Sequence, residues 1–397
     1  MAKSKKPTGT TRYPLDGLFP NAGKDLIGGT GRQFIENLGE EAAKKVILSV
    51  LMGENLRART EFLTRRRLLL TSAAVLSTFA RGFGSDPAFQ AGPSRVALEQ
   101  LKLASSSDKV RTWPAQWLLG LTGKSVQNVL RSDSSTFGSY LEEFEKAIAD
   151  SAALARQEFG EMKLRLEHTA EGQSFEATLG WPEIHRITTA IGAQTLAVRG
   201  SDKSLYGKLF EKLILGTVLT LLGFKQVSRA AVQEKSRVFW LSDSRDTRES
   251  DATVLIDLGR VARFDIGFIG SGNSEISKDK LSRFGQEVTL SGSKAASTTF
   301  VIVDRLPQTS KTIEAARSGK AIILQMSMQF WIKELARELE RVYHHRAEVL
   351  EVSDNDLQAY LELKLSRMDV ASFASTLELE DVMNAEVPLL KDELEDL

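Results

Sequence analysis

Two acids interrupt apolar, β-type runs fourteen residues apart: Asp251 at the head of DATVLIDL and Asp265 inside RVARFDIGFIG. The simplest turn between the runs falls at Leu258 and Gly259, and residues of such a hairpin pair when their numbers total about 517. Asp251 and Asp265 total 516, so they are expected nearly opposite each other on neighbouring strands, with α-carbons about 5 Å apart. Strand alternation puts Arg263, Asp265 and Gly267 on one face and Ala262, Phe264, Ile266 and Phe268 on the other. Asp251 and Asp257 likewise face away from Val254 and Ile256. One face of the hairpin is then core, and the other gathers carboxylates around a glycine. Two carboxylates this close repel unless a cation lies between them. An all-oxygen donor set with open positions suits Mg²⁺, the cofactor this pattern calls for.

These acids need a frame to hold them. The run LYGKLFEKLILGTVLTLLGF, residues 205–224, predicts a helix ended by Gly223. It carries Glu211 next to Phe210 on an otherwise apolar surface, which must pack on the sheet. Short strands are predicted over residues 237–241, 252–258, 260–270 and 298–305. A polar helix, SEISKDKLSRFGQ, capped by Asn273 or Ser274, lies between the last two. The order is helix, three strands, helix, strand. Residues 1–24 read as a loose basic tail, 25–200 as a mainly α-helical domain, 201–310 as the core that carries the acids, and 311–397 as an α-helical region with an acidic end. The segment 182–198 is ambiguous.

Composition removes several alternatives. There is no cysteine, which excludes disulfides, thiolate zinc sites and cysteine nucleophiles and fits a cytoplasmic protein. The histidines His168, His185, His344 and His345 are too scattered for a metal site and read as surface or interface residues. Residues 1–100 hold 15 Lys/Arg against 9 Asp/Glu, and residues 351–397 hold 3 against 13. The basic front can meet phosphates, and the acidic end reads as a solvated face. TRRRLLLTSAAVLSTFA resembles an export signal but starts deep in the chain and is too short to span a bilayer, so no membrane is expected. Its arginines Arg65, Arg66 and Arg67 read as a solvated helix face or as phosphate contacts. GLTGKS lacks the first glycine of a phosphate-binding loop, whose position is Leu118, and a short helix precedes it rather than a strand.

The succession of a GKLFE helix, Asp251 and Asp265 resembles the PD-(D/E)xK nuclease superfamily. The resemblance implies an α+β core in which Asp251 and Asp265 hold Mg²⁺, Glu211 matches the helix glutamate and a lysine orients the attacking water. The lysine slot, two residues after Asp265, is Gly267. From Asp265 the strand runs on about 16 Å to Gly270, and a helix starting near Glu275 returns about 1.5 Å per residue. Lys280 has therefore come back further than Lys278 and is the better replacement. Lys278 stays an alternative, and Glu275 is a further ligand or a first-turn acid favoured by the helix dipole.

Whole phrases are closer still. GENLRARTEFLTRRRLLL, RESDATVLIDL and RFDIGFIGSGNSEISKDKLSRF resemble a type II restriction endonuclease family typified by CfrBI. That likeness implies a Mg²⁺-dependent homodimer cutting both strands of double-stranded DNA at a short palindrome, with a cognate DNA methyltransferase as its genetic partner. Two rival readings remain: an inactive nuclease-fold protein that binds DNA or serves as a scaffold, which Gly267 keeps open, and a nuclease directed by nucleic-acid structure.

Overall fold

The computed structural model describes residues 13–126, 136–170, 172–231, 236–242, 250–267, 296–304 and 321–384. The chain divides into two compact units, each discontinuous in sequence: residues 1–29, 65–202 and 383–397 form one, and residues 30–64 and 203–382 the other. In chain order the elements that matter are α1 (Gly31–Leu38), α2 (Glu40–Leu51), α3 (Leu56–Ser85), α4 (Pro93–Leu103), α5 (Lys109–Leu118), α6 (Thr136–Phe159), β1 (Leu164–Ala170), β2 (Gln173–Leu179), α7 (Trp181–Leu221), β3 (Lys225–Gln226), β4 (Val238–Leu241), β5 (Ala252–Asp257), β6 (Arg260–Gly267), β7 (Ala296–Val303), β8 (Ala321–Gln325), α8 (Trp331–Tyr343) and α9 (Leu357–Ser366). The fold is mixed α and β, of the α+β kind the sequence predicts.

The first unit is helical apart from the antiparallel β1–β2 hairpin. That hairpin lies where the sequence shows only weak alternation, LRLEHTA and QSFEATL, and both strands are largely exposed. The ambiguous segment 182–198 is helical: α7 starts at Trp181, where Pro182 is tolerated in the first turn because its missing N–H would bond nothing there. Leu15, Leu18 and Phe19 are buried. One expected solvated arginine is at the heart of this unit. Arg67 has no exposed surface, its Nη1 donates to Asp202 at 2.7 Å and to Ser201 at 3.0 Å, and its Nε donates to the Leu26 carbonyl at 3.0 Å. Arg65 and Arg66 do face solvent. The difference is helical phase: Arg67 shares its face with buried Leu63, Thr71 and Ala74.

The second unit is built on a six-stranded sheet in the order β3-β4-β5-β6-β7-β8. β4, β5 and β6 run antiparallel to their neighbours in that trio, whereas β6, β7 and β8 are parallel. Phe239, Val254, Ala262, Ala252, Phe264, Phe300, Ile266 and Ile302 alternate onto one face and are all buried, and Phe264 stacks on Phe300 with ring centres 4.9 Å apart. The β5–β6 turn is Leu258–Gly259, with Gly259 at φ +81°, which a glycine adopts without strain. Asp257 pairs with Arg260 across that turn; a register shift between Leu255 and Asp257 then moves the remaining pairs by one residue.

The part of α7 that belongs to this unit is mostly apolar, with Leu209, Phe210, Leu213, Ile214, Val218 and Leu219 wholly buried. Gly216 takes the ring of Phe373 so closely that an added Cβ would lie 2.3 Å from it. α1 starts with a capping box in which Thr30 Oγ1 accepts from the Gln33 N–H and Gln33 Oε1 from the Thr30 N–H. Two expectations change here. Residues 321–325, read as part of a helical region, form β8, because a short apolar AIILQ run fits either element and pairing with β7 decides it. His345 is buried rather than at the surface, its Nε2 2.7 Å from the Leu222 carbonyl oxygen and its ring stacked on Phe224. Among the described residues, no helix is long and apolar enough to cross a membrane.

Candidate active site

The sheet aligns the two acids. Leu241 pairs with Ala252 and Ala252 with Phe264. One step on, the Ser242 N–H donates to the Asp251 carbonyl oxygen at 3.1 Å, and the Ile266 N–H donates to Asp251 Oδ2 at 2.9 Å. Asp265 in turn pairs with Val301, and Val301 with Ile323. A single row therefore crosses five strands: Ser242, Asp251, Asp265, Val301, Ile323. Neighbours in a row share a face, so the acids lie on the face opposite Phe264 and Ile266. Beside them Val301 and Val303 are buried against Ala321 and Ile323, which closes that side to water. Asp265 itself is only 8% exposed.

The row lies where β6, β7 and β8 end and β5 begins. The carboxyl edge of parallel strands is where open α/β sheets put their ligands, since side chains there can converge without a strand continuing through them. A third acid stands at this edge. Asp304, next after β7, donates its N–H to the Gly267 carbonyl oxygen at 3.3 Å, and its Oδ2 accepts from Asn55 Nδ2 at 2.8 Å. The sequence shows its signal in plain form, TTFVIVD ending on an acid as RFD does, but hairpin arithmetic does not reach a parallel partner.

Glu211 sits on α7 with its side chain 14% exposed, and Lys208 one turn earlier donates to its Oε2 at 2.8 Å. Among the described residues no three acids or histidines stand close enough to hold a metal ion together, so Glu211 does not complete a carboxylate trio with Asp251 and Asp265. Mg²⁺ does not require one: it keeps several waters and takes one or two carboxylates together with substrate phosphate oxygens. The nearly buried carboxylate of Asp265, next in the row to that of Asp251, is a donor set of this type. Lys280, Lys278 and Glu275 lie outside the described residues. Gly267, at the lysine slot, closes β6.

One charged neighbour went unread in the sequence. Lys212, adjoining Glu211, is only 8% exposed, and its ammonium donates to the Ser242 carbonyl oxygen. Its signal was a cation inside an apolar helix, which carries no address until the strands are placed.

Comparison with known proteins now decides the family. The family described as CfrBI restriction endonuclease matches residues 40–311. The chain belongs to the CfrBI restriction endonuclease family. The type II restriction enzyme CfrBI of Citrobacter freundii is 31% identical over 370 residues, covering 89% of this chain and 97% of that enzyme. No solved structure matches. A member of the CfrBI family is a site-specific deoxyribonuclease, and the matched span includes Asp251, Asp265, Glu211 and Lys212.

Proposed function

We propose that this protein hydrolyses phosphodiester bonds in both strands of double-stranded DNA at a short palindromic sequence, using Mg²⁺ held by Asp251 and Asp265. The reading is carried by one observation: two carboxylates adjoin in a strand row at the carboxyl edge of the sheet, one fixed by the Ile266 N–H and the other nearly buried. A bound Mg²⁺ would polarise the phosphate and lower the pKa of a water. Asp251 and Asp265 compensate the cation's charge and orient it. Their own repulsion is relieved only with the cation present, so the site favours its loaded form. A lysine holds the attacking water in line and offsets charge growing on the phosphate. Lys280 is the candidate that chain spacing offers, with Lys278 beside it. The water oxygen bonds to phosphorus as the bond from phosphorus to one sugar oxygen breaks, and a proton passes to that leaving oxygen.

A palindrome is read by two copies related by a two-fold axis, so the working form is a homodimer in the cytoplasm, with a cognate methyltransferase protecting host DNA. Gly267 favours a second reading, an inactive DNA-binding module. Digestion of unmethylated phage DNA separates the two. Discrete bands with Mg²⁺, absent with EDTA and absent for Asp265→Ala, are expected. Binding without cleavage over a range of salt and Mn²⁺ would establish the inactive module, and a smear would mean a nuclease that does not read sequence.

A further inference from the structure

Gly267 stands where the superfamily strand carries its lysine, and the structure holds a lysine of the helix at the row of the two acids. Lys212 projects from α7 among wholly buried Leu209, Phe210, Leu213 and Ile214. Burying an ammonium is costly unless it is hydrogen-bonded and charge-compensated. Its ammonium donates to the carbonyl of Ser242, and Ser242 is bound twice to Asp251: its N–H and its Oγ donate to the Asp251 carbonyl oxygen at 3.1 and 3.3 Å. The ammonium is thus bonded to the head of the row Ser242, Asp251, Asp265, whose first and third residues lie about two strand spacings, roughly 10 Å, apart.

We propose that Lys212 is the cation of this site, in the role that spacing alone assigns to Lys280. The proposal rests on the metal-dependent phosphodiester hydrolysis put forward above. An ammonium carries three donors, so holding Ser242 is compatible with directing a donor at a non-bridging phosphate oxygen or at the attacking water. Its position on a helix also differs in kind from a strand lysine. The Lys212 side chain reaches the carbonyl of Ser242, the row neighbour of Asp251, from α7, whereas position 267 lies on β6 with Asp265. A slot emptied on β6 can then be filled without moving either acid.

The test is single-turnover cleavage by the full chain with Lys212→Gln and Lys212→Arg, beside DNA binding measured in Ca²⁺ and thermal unfolding. Glutamine keeps a donor for the Ser242 carbonyl but no charge. Lys212→Gln is expected to lose about 100-fold in cleavage while binding stays within about threefold. Lys212→Arg should cleave at least about tenfold faster than Lys212→Gln. Should Lys212→Gln fail to fold, the absence of native cysteine gives a second route. Lys212→Cys, alkylated in denaturant with 2-bromoethylamine and refolded, regains an ammonium at this position alone, and iodoacetamide gives a neutral donor of similar length. Rescue by the first and not by the second supports the proposal. Equal rates for the two adducts, near-parental cleavage by Lys212→Gln, or a parallel loss of binding, stability and cleavage would overturn it. Failure of the underlying reading looks different: Asp265→Asn would then cleave like the parent, or the parent would not cleave at all.

Discussion

The carboxylate of Asp251 accepts a hydrogen bond from the backbone N–H of Ile266, the residue that follows Asp265. One acid is therefore pinned to the strand that bears the other, and the site's spacing is set by main chain rather than by flexible side chains. This makes asparagine the cleanest replacement, since a carboxamide oxygen still accepts from Ile266. Asp251→Asn and Asp265→Asn should each lower Mg²⁺-dependent cleavage by about 100-fold or more. DNA binding in Ca²⁺ and the unfolding temperature should stay near parental values. A variant that loses binding and fold together with cleavage would mean that the acid is structural.

Arg67 and Arg66 are neighbours in sequence with opposite fates. Removing Arg67 leaves Asp202, itself buried, without its partner guanidinium. Arg67→Ala should therefore destabilise by about 3–5 kcal/mol, read by urea unfolding. Arg66→Ala, at an exposed position, should change stability by no more than about 0.5 kcal/mol. Of the two, only Arg66 is available to a phosphate, so only its loss can lower the salt dependence of DNA binding.

The fit of Phe373 against Gly216 admits no methyl group. Gly216→Ala gains helix propensity but forces the ring or the helix to move, and overpacking of this kind costs about 1–3 kcal/mol. A lower unfolding temperature is expected. Phe373→Ala should cost less stability in the Gly216→Ala background than in the parent, because the ring atoms Cγ and Cδ1 that block the methyl group are then gone.

Glu145 provides a pH test in the first unit. Burial alone would push its carboxyl up, but hydrogen bonds from Arg186 and Ser94 and the nearby positive charge prevail and hold it below the usual 4.5. A carboxylate depressed by folding adds stability above its unfolded pKa, and that stability is lost as pH falls through the folded value. The side chain is 38% exposed, so solvent screens the pair and its worth is about 1 kcal/mol or less. Arg186→Met should lower the unfolding temperature at pH 7, and the difference from the parent should shrink progressively below about pH 4.

The hairpin that bears the two acids was readable because it is local. A glycine turn, strand alternation and a fourteen-residue separation are enough to bring Asp251 and Asp265 together, and the register shift near Leu255 accounts for the pairs totalling 516 rather than 517. Parallel partners carry no such arithmetic. Asp304 reaches the same edge only through pairing of β6 with β7, and β8 is indistinguishable in sequence from a turn of buried helix. Arg67 and Lys212 were hidden for a related reason. Charged residues default to solvent in any sequence reading, and only the packed partners Asp202 and Ser242 reveal that these two point inward.

The β5–β6 hairpin also fixes an order of events during synthesis. A hairpin closes in microseconds, so the two acids can meet as soon as Gly267 clears the ribosome. Val301, the parallel neighbour of Asp265, emerges 34 residues later, a delay of a few seconds at about 5–20 residues per second. Throughout that interval β6 is an open edge carrying Phe264 and Ile266, the arrangement most prone to pairing with another nascent chain. Yield of soluble enzyme should then depend on how fast the chain lengthens during that interval, although the acid pair itself is complete when the interval begins.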